Sequence, residues 1–275
     1  MKAEHKWIES KNGRVHYWLS NKGSKNNCIV FTHGLTADHT MFEKQVEFFA
    51  NEYCVLCWDI PLHGLSRPYS NFTYENTALE LKTILDIEGM DKVILVGMSM
   101  GGYPSQEFAS LYPDCVVGFI ALDTTPFGIE YYSKSDMWWL KNVAPMAKWF
   151  PDSILRKSMA RSVSRTDYSY NKMLDMLMPQ TKKQIIEQMD IAYGVFAKEN
   201  KDVNFNFPVL LLLGDHDKTG KVKVYNKRWS KKTGYPLHMI KNAAHFSNGD
   251  NSVQVNQEIQ TFISGLYSIT GKEKR

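Results

Sequence analysis

The sequence predicts an α/β protein with a mostly parallel sheet of about eight strands and helices on both faces, and three observations carry that expectation. Short apolar runs alternate along the chain with helix-like patterns, the order that lays crossover helices against a sheet. Most of these runs are apolar at nearly every position, as strands covered on both faces are, whereas half-exposed strands alternate. One stretch, 127–206, breaks the alternation with helical patterns alone. It is read as a helical cap inserted into a core domain formed by residues 1–126 and 207–275.

In chain order, residues 7–19 hold Asn12-Gly13 between two alternating segments, the signal for an opening β-hairpin. Apolar runs at 28–32 and 53–58 follow, with a helical pattern at 41–51 between them. A helix at 74–88 leads to the run at 92–96, and a helix at 99–112 leads to the run at 116–122. Beyond the inserted block come a strand at 209–213, a helix at 222–232, a strand at 237–240 and a closing helix at 252–267. The block is punctuated by Pro145, Pro151 and Pro179, and it carries Trp138, Trp139, Trp149 and Phe150 with Met137, Met146, Met159, Met173, Met176 and Met178. Most such side chains pack helices on one another, while a minority are expected to line an adaptable apolar pocket.

With 275 residues the chain can bury a substantial core as one domain with an insertion. Its net charge of +4 is mild and spread along the chain, so no nucleic-acid partner is expected. The densest basic stretch, Lys221, Lys223, Lys227, Arg228, Lys231 and Lys232, is interrupted by Val222, Val224, Tyr225 and Trp229 and reads as the solvated face of an amphipathic helix. Cys28, Cys54, Cys57 and Cys115 lie in or beside apolar runs without metal-ligand spacing and are expected to be reduced. No apolar stretch follows the charges of the first residues, and no apolar run reaches the length of a membrane span. A cytoplasmic protein, monomer or homodimer, without a membrane span, is the expectation.

The chemistry begins at Gly97-Met98-Ser99-Met100-Gly101-Gly102, a G-x-S-x-G directly after an apolar run and directly before a helical pattern. In that context the motif is a nucleophile elbow, a tight strand-to-helix turn that projects the serine Oγ at the sheet's carboxyl edge. The plainer alternative is a glycine-rich turn with an ordinary capping serine. A serine hydroxyl is a poor nucleophile unless a base takes its proton and a third group holds that base. Downstream, the run 209–213 ends in Gly214-Asp215-His216-Asp217, and the run 237–240 leads into Asn242-Ala243-Ala244-His245. Acid and histidine thus follow the serine in the order expected of an elbow.

With these residues the chain resembles the α/β-hydrolase family from about Cys28 to Phe262. The resemblance includes Phe31-Thr32-His33-Gly34-Leu35 as an oxyanion motif and Asp59-Ile60-Pro61-Leu62-His63-Gly64-Leu65-Ser66 as the Asp-x-x-Gly-His-Gly-x-Ser loop, with Leu62 where glycine is usual. It implies Ser99 as nucleophile, His245 as base and Asp217, three residues past Gly214, as the acid. Asp215 and Asp123, the latter in the alternative acid position of some relatives, remain candidates, and His33, His63 and His216 compete with His245. The backbone N–H groups of Leu35 and Met100 are the expected oxyanion hole. No HExxH or other metal spacing occurs, and no cofactor is expected.

The expected activity is serine hydrolysis of a small, largely apolar carboxylic ester through an acyl-serine. The absence of aspartate at position 99 disfavours dehalogenase and epoxide-opening chemistry. Thioester, lactone, amide or carbon–carbon hydrolysis, perhydrolysis and acyl transfer share the same residues, and a ligand-binding sensor is the reading from another class. Arg156, Arg161 and Arg165 at near-helical spacing leave room for an anionic substrate.

Overall fold

A computed structural model describes residues 3–24 and 27–270. The chain opens with strands β1 (Glu4–Ser10) and β2 (Gly13–Ser20), paired antiparallel with Ser10 opposite Gly13. The turn is therefore Lys11-Asn12, one residue earlier than the Asn-Gly dipeptide suggested, and neither residue has a positive φ. Gly13 has another task. Its φ is 149° and a Cβ there would lie 2.6 Å from the Pro68 carbonyl oxygen, so the glycine admits the close approach of a neighbouring loop.

Six further strands complete the sheet: β3 (Cys28–Thr32), β4 (Val55–Trp58), β5 (Val93–Met98), β6 (Val116–Leu122), β7 (Val209–Gly214) and β8 (Leu237–Ile240). The spatial order is β1-β2-β4-β3-β5-β6-β7-β8, with the β1–β2 and β2–β4 pairs antiparallel and all others parallel. Every residue of β3, β4, β5 and β7 is buried, which is why their sequences read as unbroken apolar runs. The chain runs outward from β3 to β4 and then returns to the other side of β3 as β5. This reversal opens a crevice at the carboxyl ends of β3 and β5, where Thr32 pairs with Gly97.

Helices α1 (Glu43–Phe49) and α9 (Ser252–Thr270) cover one face, with Ile29, Phe31 and Val96 of the sheet packing beside Phe49, Ile259 and Ile263. On the other face α2 (Tyr74–Glu88), α3 (Gly102–Leu111) and α8 (Val222–Thr233) bury Leu81, Ile84, Phe108 and Trp229 against Val30, Leu56 and Leu95. Helix α2 shows why such segments start and stop where they do. The Thr73 side chain accepts from the Asn76 amide at its start, and Gly89, at φ 70°, closes its end through the Asp86 and Leu85 carbonyls.

Between β6 and β7 lie α4 (Lys134–Ala147), α5 (Asp152–Val163), α6 (Asp167–Leu177) and α7 (Lys182–Glu199), with no strand among them. Capping boxes at Ser133/Asp136 and Thr181/Gln184 start α4 and α7, and Pro151 immediately precedes α5. The basic face of α8 is exposed and Tyr225 and Trp229 are buried, as an amphipathic helix requires, and the face also makes contacts: Lys221 pairs with Asp136 at 2.5 Å, Lys232 pairs with Glu130, and Arg228 donates to the Tyr131 carbonyl at 3.1 Å. These contacts fasten the start of the inserted helices to the sheet domain. All four cysteines are free, with Cys28, Cys54 and Cys57 buried and Cys115 half-buried. Among the described residues no helix is long and apolar enough to cross a membrane.

Candidate active site

Ser99 follows β5 and opens a short 3-10 turn, Ser99–Gly101, that runs directly into α3. Its φ of 50° is left-handed, a conformation that costs a non-glycine residue on the order of 1–2 kcal/mol and persists only where the surroundings enforce it. The glycines supply the enforcement. A Cβ at Gly101 would meet the Thr32 carbonyl oxygen at 2.2 Å, and one at Gly97 would lie 2.7 Å from the Gly102 Cα. The turn can therefore pass between β3 and α3 only with these side chains missing, and the serine is left projecting at the sheet edge.

His245 lies on the loop after β8 and Asp217 on the loop after β7. The Ser99 hydroxyl donates to His245 Nε2 at 2.7 Å, and His245 Nδ1–H donates to Asp217 Oδ2 at 2.8 Å. Asp217 Oδ1 accepts from the Thr219 amide at 2.7 Å, so both carboxylate oxygens are held. Burial alone would lower the His245 pKa. The Asp217 charge and hydrogen bond, with a contribution from the Asp123 charge, reverse this, and the imidazole is raised above its ordinary value. Asp217 is driven the other way. Burial opposes its ionisation, but the His245 charge and the hydrogen bonds from His245 and Thr219 hold it below the usual carboxylate range.

The competing acids and histidines have other neighbours. Asp123, fully buried with φ 47°, accepts from the Gly214 amide at 2.7 Å and from the Ser247 hydroxyl. Burial and the adjacent Asp217 charge push its pKa up to about 8. Asp215 bonds His216 Nδ1 at 2.6 Å and the Ala243 amide at 3.1 Å, bracing the loop that carries His245. His33 donates from Nδ1 to the Gly34 carbonyl at 2.8 Å and accepts from the Ile60 amide at 3.1 Å, while burial holds its pKa down. Burial likewise depresses His63, to about 3. His33 thus joins two loops, whereas His63 bonds the Pro61 carbonyl of its own loop at 3.1 Å.

Asp59 organises the 59–66 loop by accepting from the His39 and Leu65 amides at 2.8 and 2.7 Å. Gly64 is obligatory there, since its Cβ would lie 2.1 Å from Asp59 Oδ2. Leu62, where the resemblance has glycine, takes φ 73° yet is buried in the core, so packing offsets the strain. The one three-ligand grouping among the described residues is Asp38, His39 and Asp59. Its carboxylates already serve the Thr40 amide and the His39 N–H groups.

Leu35 lines the same cavity as Ser99, and Met100 follows Ser99 in the turn. The Leu35 amide has no acceptor among the described residues, and Met100 lies in the first turn of a helical segment, where N–H groups lack intrahelical partners.

A cavity of about 200 Å³ contains Ser99, His245 and Leu35 and is walled by Met41, Met98, Met159, Met173, Met189 and Tyr193. Of the methionines singled out by composition, Met159 and Met173 reach it, while Met146 and Met178 are exposed. Met41, Met98 and Met189 were missed, and only their shared residue type could have suggested them. Arg156 is drawn away, bonded to Asp152 and the Leu177 carbonyl, and no lysine or arginine lines the cavity. Also unforeseen were Gln180 and Gln188. Their amides donate to the Thr36 carbonyl at 2.7 Å and the Leu62 carbonyl at 2.9 Å, pinning α7 and the turn before it to the loops after β3 and β4.

The sequence matches the family described as the alpha/beta hydrolase fold over residues 27–252. A putative esterase/lipase of Haemophilus influenzae is 27% identical over 135 residues, 48% of this chain and 47% of that protein. The chain thus spans about half the length of that curated relative. A 2-hydroxy-6-oxononadienedioate/2-hydroxy-6-oxononatrienedioate hydrolase of Dechloromonas aromatica is 24% identical over 95% of this chain and 96% of its own. Among solved structures, a thermophilic esterase from Thermogutta terrifontis superposes with a TM-score of 0.74 at 20% identity, over 96% of this chain and 99% of that one. The match of most of the sequence, together with this sheet, places the chain in the α/β-hydrolase fold family.

Proposed function

We propose that the protein is a serine hydrolase that cleaves a small, largely apolar carboxylic ester through an acyl-Ser99 intermediate. The observation that carries this reading is the unbroken Ser99–His245–Asp217 hydrogen-bond chain, at 2.7 and 2.8 Å, in the wall of a methionine-lined cavity. As Ser99 Oγ attacks the ester carbonyl, its proton passes to His245 Nε2, and the imidazolium is held by Asp217. The oxyanion is met by the Leu35 and Met100 amides, an interaction typically worth about 10²–10³ in rate per donor. His245 then gives the proton to the leaving alkoxide, and water repeats the cycle on the acyl-enzyme.

An apolar acyl group is favoured because a buried charge without a partner is costly, and the cavity offers no lysine or arginine. The same fact weighs against a dicarboxylate such as the one named for the Dechloromonas relative. The inserted helices act in this reading as a lid that sets acyl specificity, since α5, α6 and α7 contribute Met159, Met173, Met189 and Tyr193 to the wall. The test is steady-state hydrolysis across p-nitrophenyl esters of increasing acyl length, with Ser99→Ala as control. Multiple turnovers by the parent on short acyl chains and none by Ser99→Ala are expected. One stoichiometric event instead of turnover would make the protein a sensor.

A further inference from the structure

We propose that the outer face of α4 and the turn into α5 is a docking surface for anionic lipid bilayers, holding the protein peripherally at a membrane surface. The inward side of α4 is ordinary: Met137, Leu140, Ala144 and Ala147 pack into the protein at helical spacing. The outward side carries Trp138, Pro145, Trp139 and Met146, and the turn that follows the helix carries Trp149 and Phe150. Trp138 is 62% exposed and Trp149 is 88% exposed, and Ile154 extends the patch onto α5. Other exposed apolar side chains, such as Trp7, Phe48, Ile87 and Val253, stand on separate elements, which is normal for a protein surface. A continuous tryptophan-rich stripe is not, and indole rings favour the level of lipid headgroups.

Charge selects the occupant. The acidic residues nearest the stripe are engaged, Asp136 by Lys221 and Asp152 by Arg156 at 3.0 Å. Lys134, Lys148 and Lys157 are exposed and have no acidic partner among the described residues. Lys157 and Arg161 line a shallow groove on α5 with Ser158 and Ser162. An apolar face flanked by unpaired cations complements an anionic headgroup layer. It opposes a second copy of itself, because a two-fold contact would bring the same lysines together. Ser162 lies both in the groove and in the cavity wall that holds Ser99, so the docking face adjoins the site without depending on its chemistry.

The test is flotation of the full chain with phosphatidylcholine vesicles, with and without phosphatidylglycerol. Binding to the phosphatidylglycerol vesicles, weakening as salt is raised, is expected. The double variant Trp149→Ala/Phe150→Ala should lose about tenfold or more in vesicle affinity while hydrolysing p-nitrophenyl acetate at the parent rate, and Trp7→Ala should bind as the parent does. Ser99→Ala should also bind as the parent, so this proposal and the nucleophile assignment fail separately. Absence of binding to either vesicle, or equal binding by the double variant, overturns the proposal. A lipid-free dimer that the double variant abolishes also overturns it and assigns the face to a second copy.

Discussion

The turns at the carboxyl edge of the sheet hold Ser99, Asp217 and His245 with a backbone geometry that admits few residues, whereas the inserted helices wall the same cavity with side chains that many residues could replace. At Gly101 the neighbouring carbonyl leaves no room for a Cβ, and at Ser99 the backbone is locked at a positive φ. At Met159, Met173 and Met189 the requirement is only for flexible apolar volume. In the proposed reading, chemistry belongs to the rigid turns and selectivity to a packing surface that tolerates change.

The sharpest way to break this comparison is at the acid. Asp217→Asn should lower kcat by about 10³–10⁴, because the amide presents His245 with the wrong partner while leaving the fold intact. The pH profile should move with it. A general base works only when neutral, so activity in the parent falls as pH drops through the His245 pKa, which lies above its ordinary 6.5. Removing the Asp217 charge should shift that limb of kcat/KM to lower pH.

Next comes the turn itself. Gly101→Ala places a methyl group 2.2 Å from the Thr32 oxygen and should cost about 4 kcal/mol or more, read as a lowered Tm or loss of folded protein. An unchanged Tm would show that the turn is less constrained than its geometry states. On the helical side, Met159→Ala and Met189→Ala should change kcat/KM ratios between short and long acyl esters by about three- to tenfold. An equal effect on all substrates would sink the lid reading.

The smallest effect is expected at Asp123. Because Asp123 bonds the Gly214 amide and the Ser247 hydroxyl while His245 bonds Asp217, Asp123→Asn should cost less than about tenfold in kcat. Stability supplies a second readout. The folded chain keeps the proton up to about pH 8 while the unfolded chain releases it above the ordinary carboxyl value of 3.8, so the Asp123 contribution to stability is lost as pH rises across that window. The asparagine variant should therefore gain Tm relative to the parent between pH 5 and pH 8. If instead Asp123→Asn is the crippled variant, the acid has been placed on the wrong strand.

The same contrast explains what was legible in the sequence. Buried strands announced themselves because a strand covered on both faces must be apolar throughout, and 28–32 and 116–122 matched to the residue. Boundaries set by local hydrogen bonding were less visible: the pattern at 41–51 resolves into a 3-10 turn, His39–Phe42, followed by α1. The elbow was readable because its glycines answer to contacts with fixed backbone. The hairpin turn was not, since Gly13 answers to Pro68, far away in sequence. Gln180 and Gln188 carry no local signal, and which methionines face the cavity depends on how four helices pack, which residue type alone does not encode.

The account stands most directly on Ser99, and mass spectrometry after treatment with a fluorophosphonate measures it. One adduct per chain is expected, on the peptide containing Ser99, formed rapidly by the parent and absent from Ser99→Ala, and slowed strongly in Asp217→Asn. Modification of any other residue, or undiminished labelling of a folded Ser99→Ala, would contradict it.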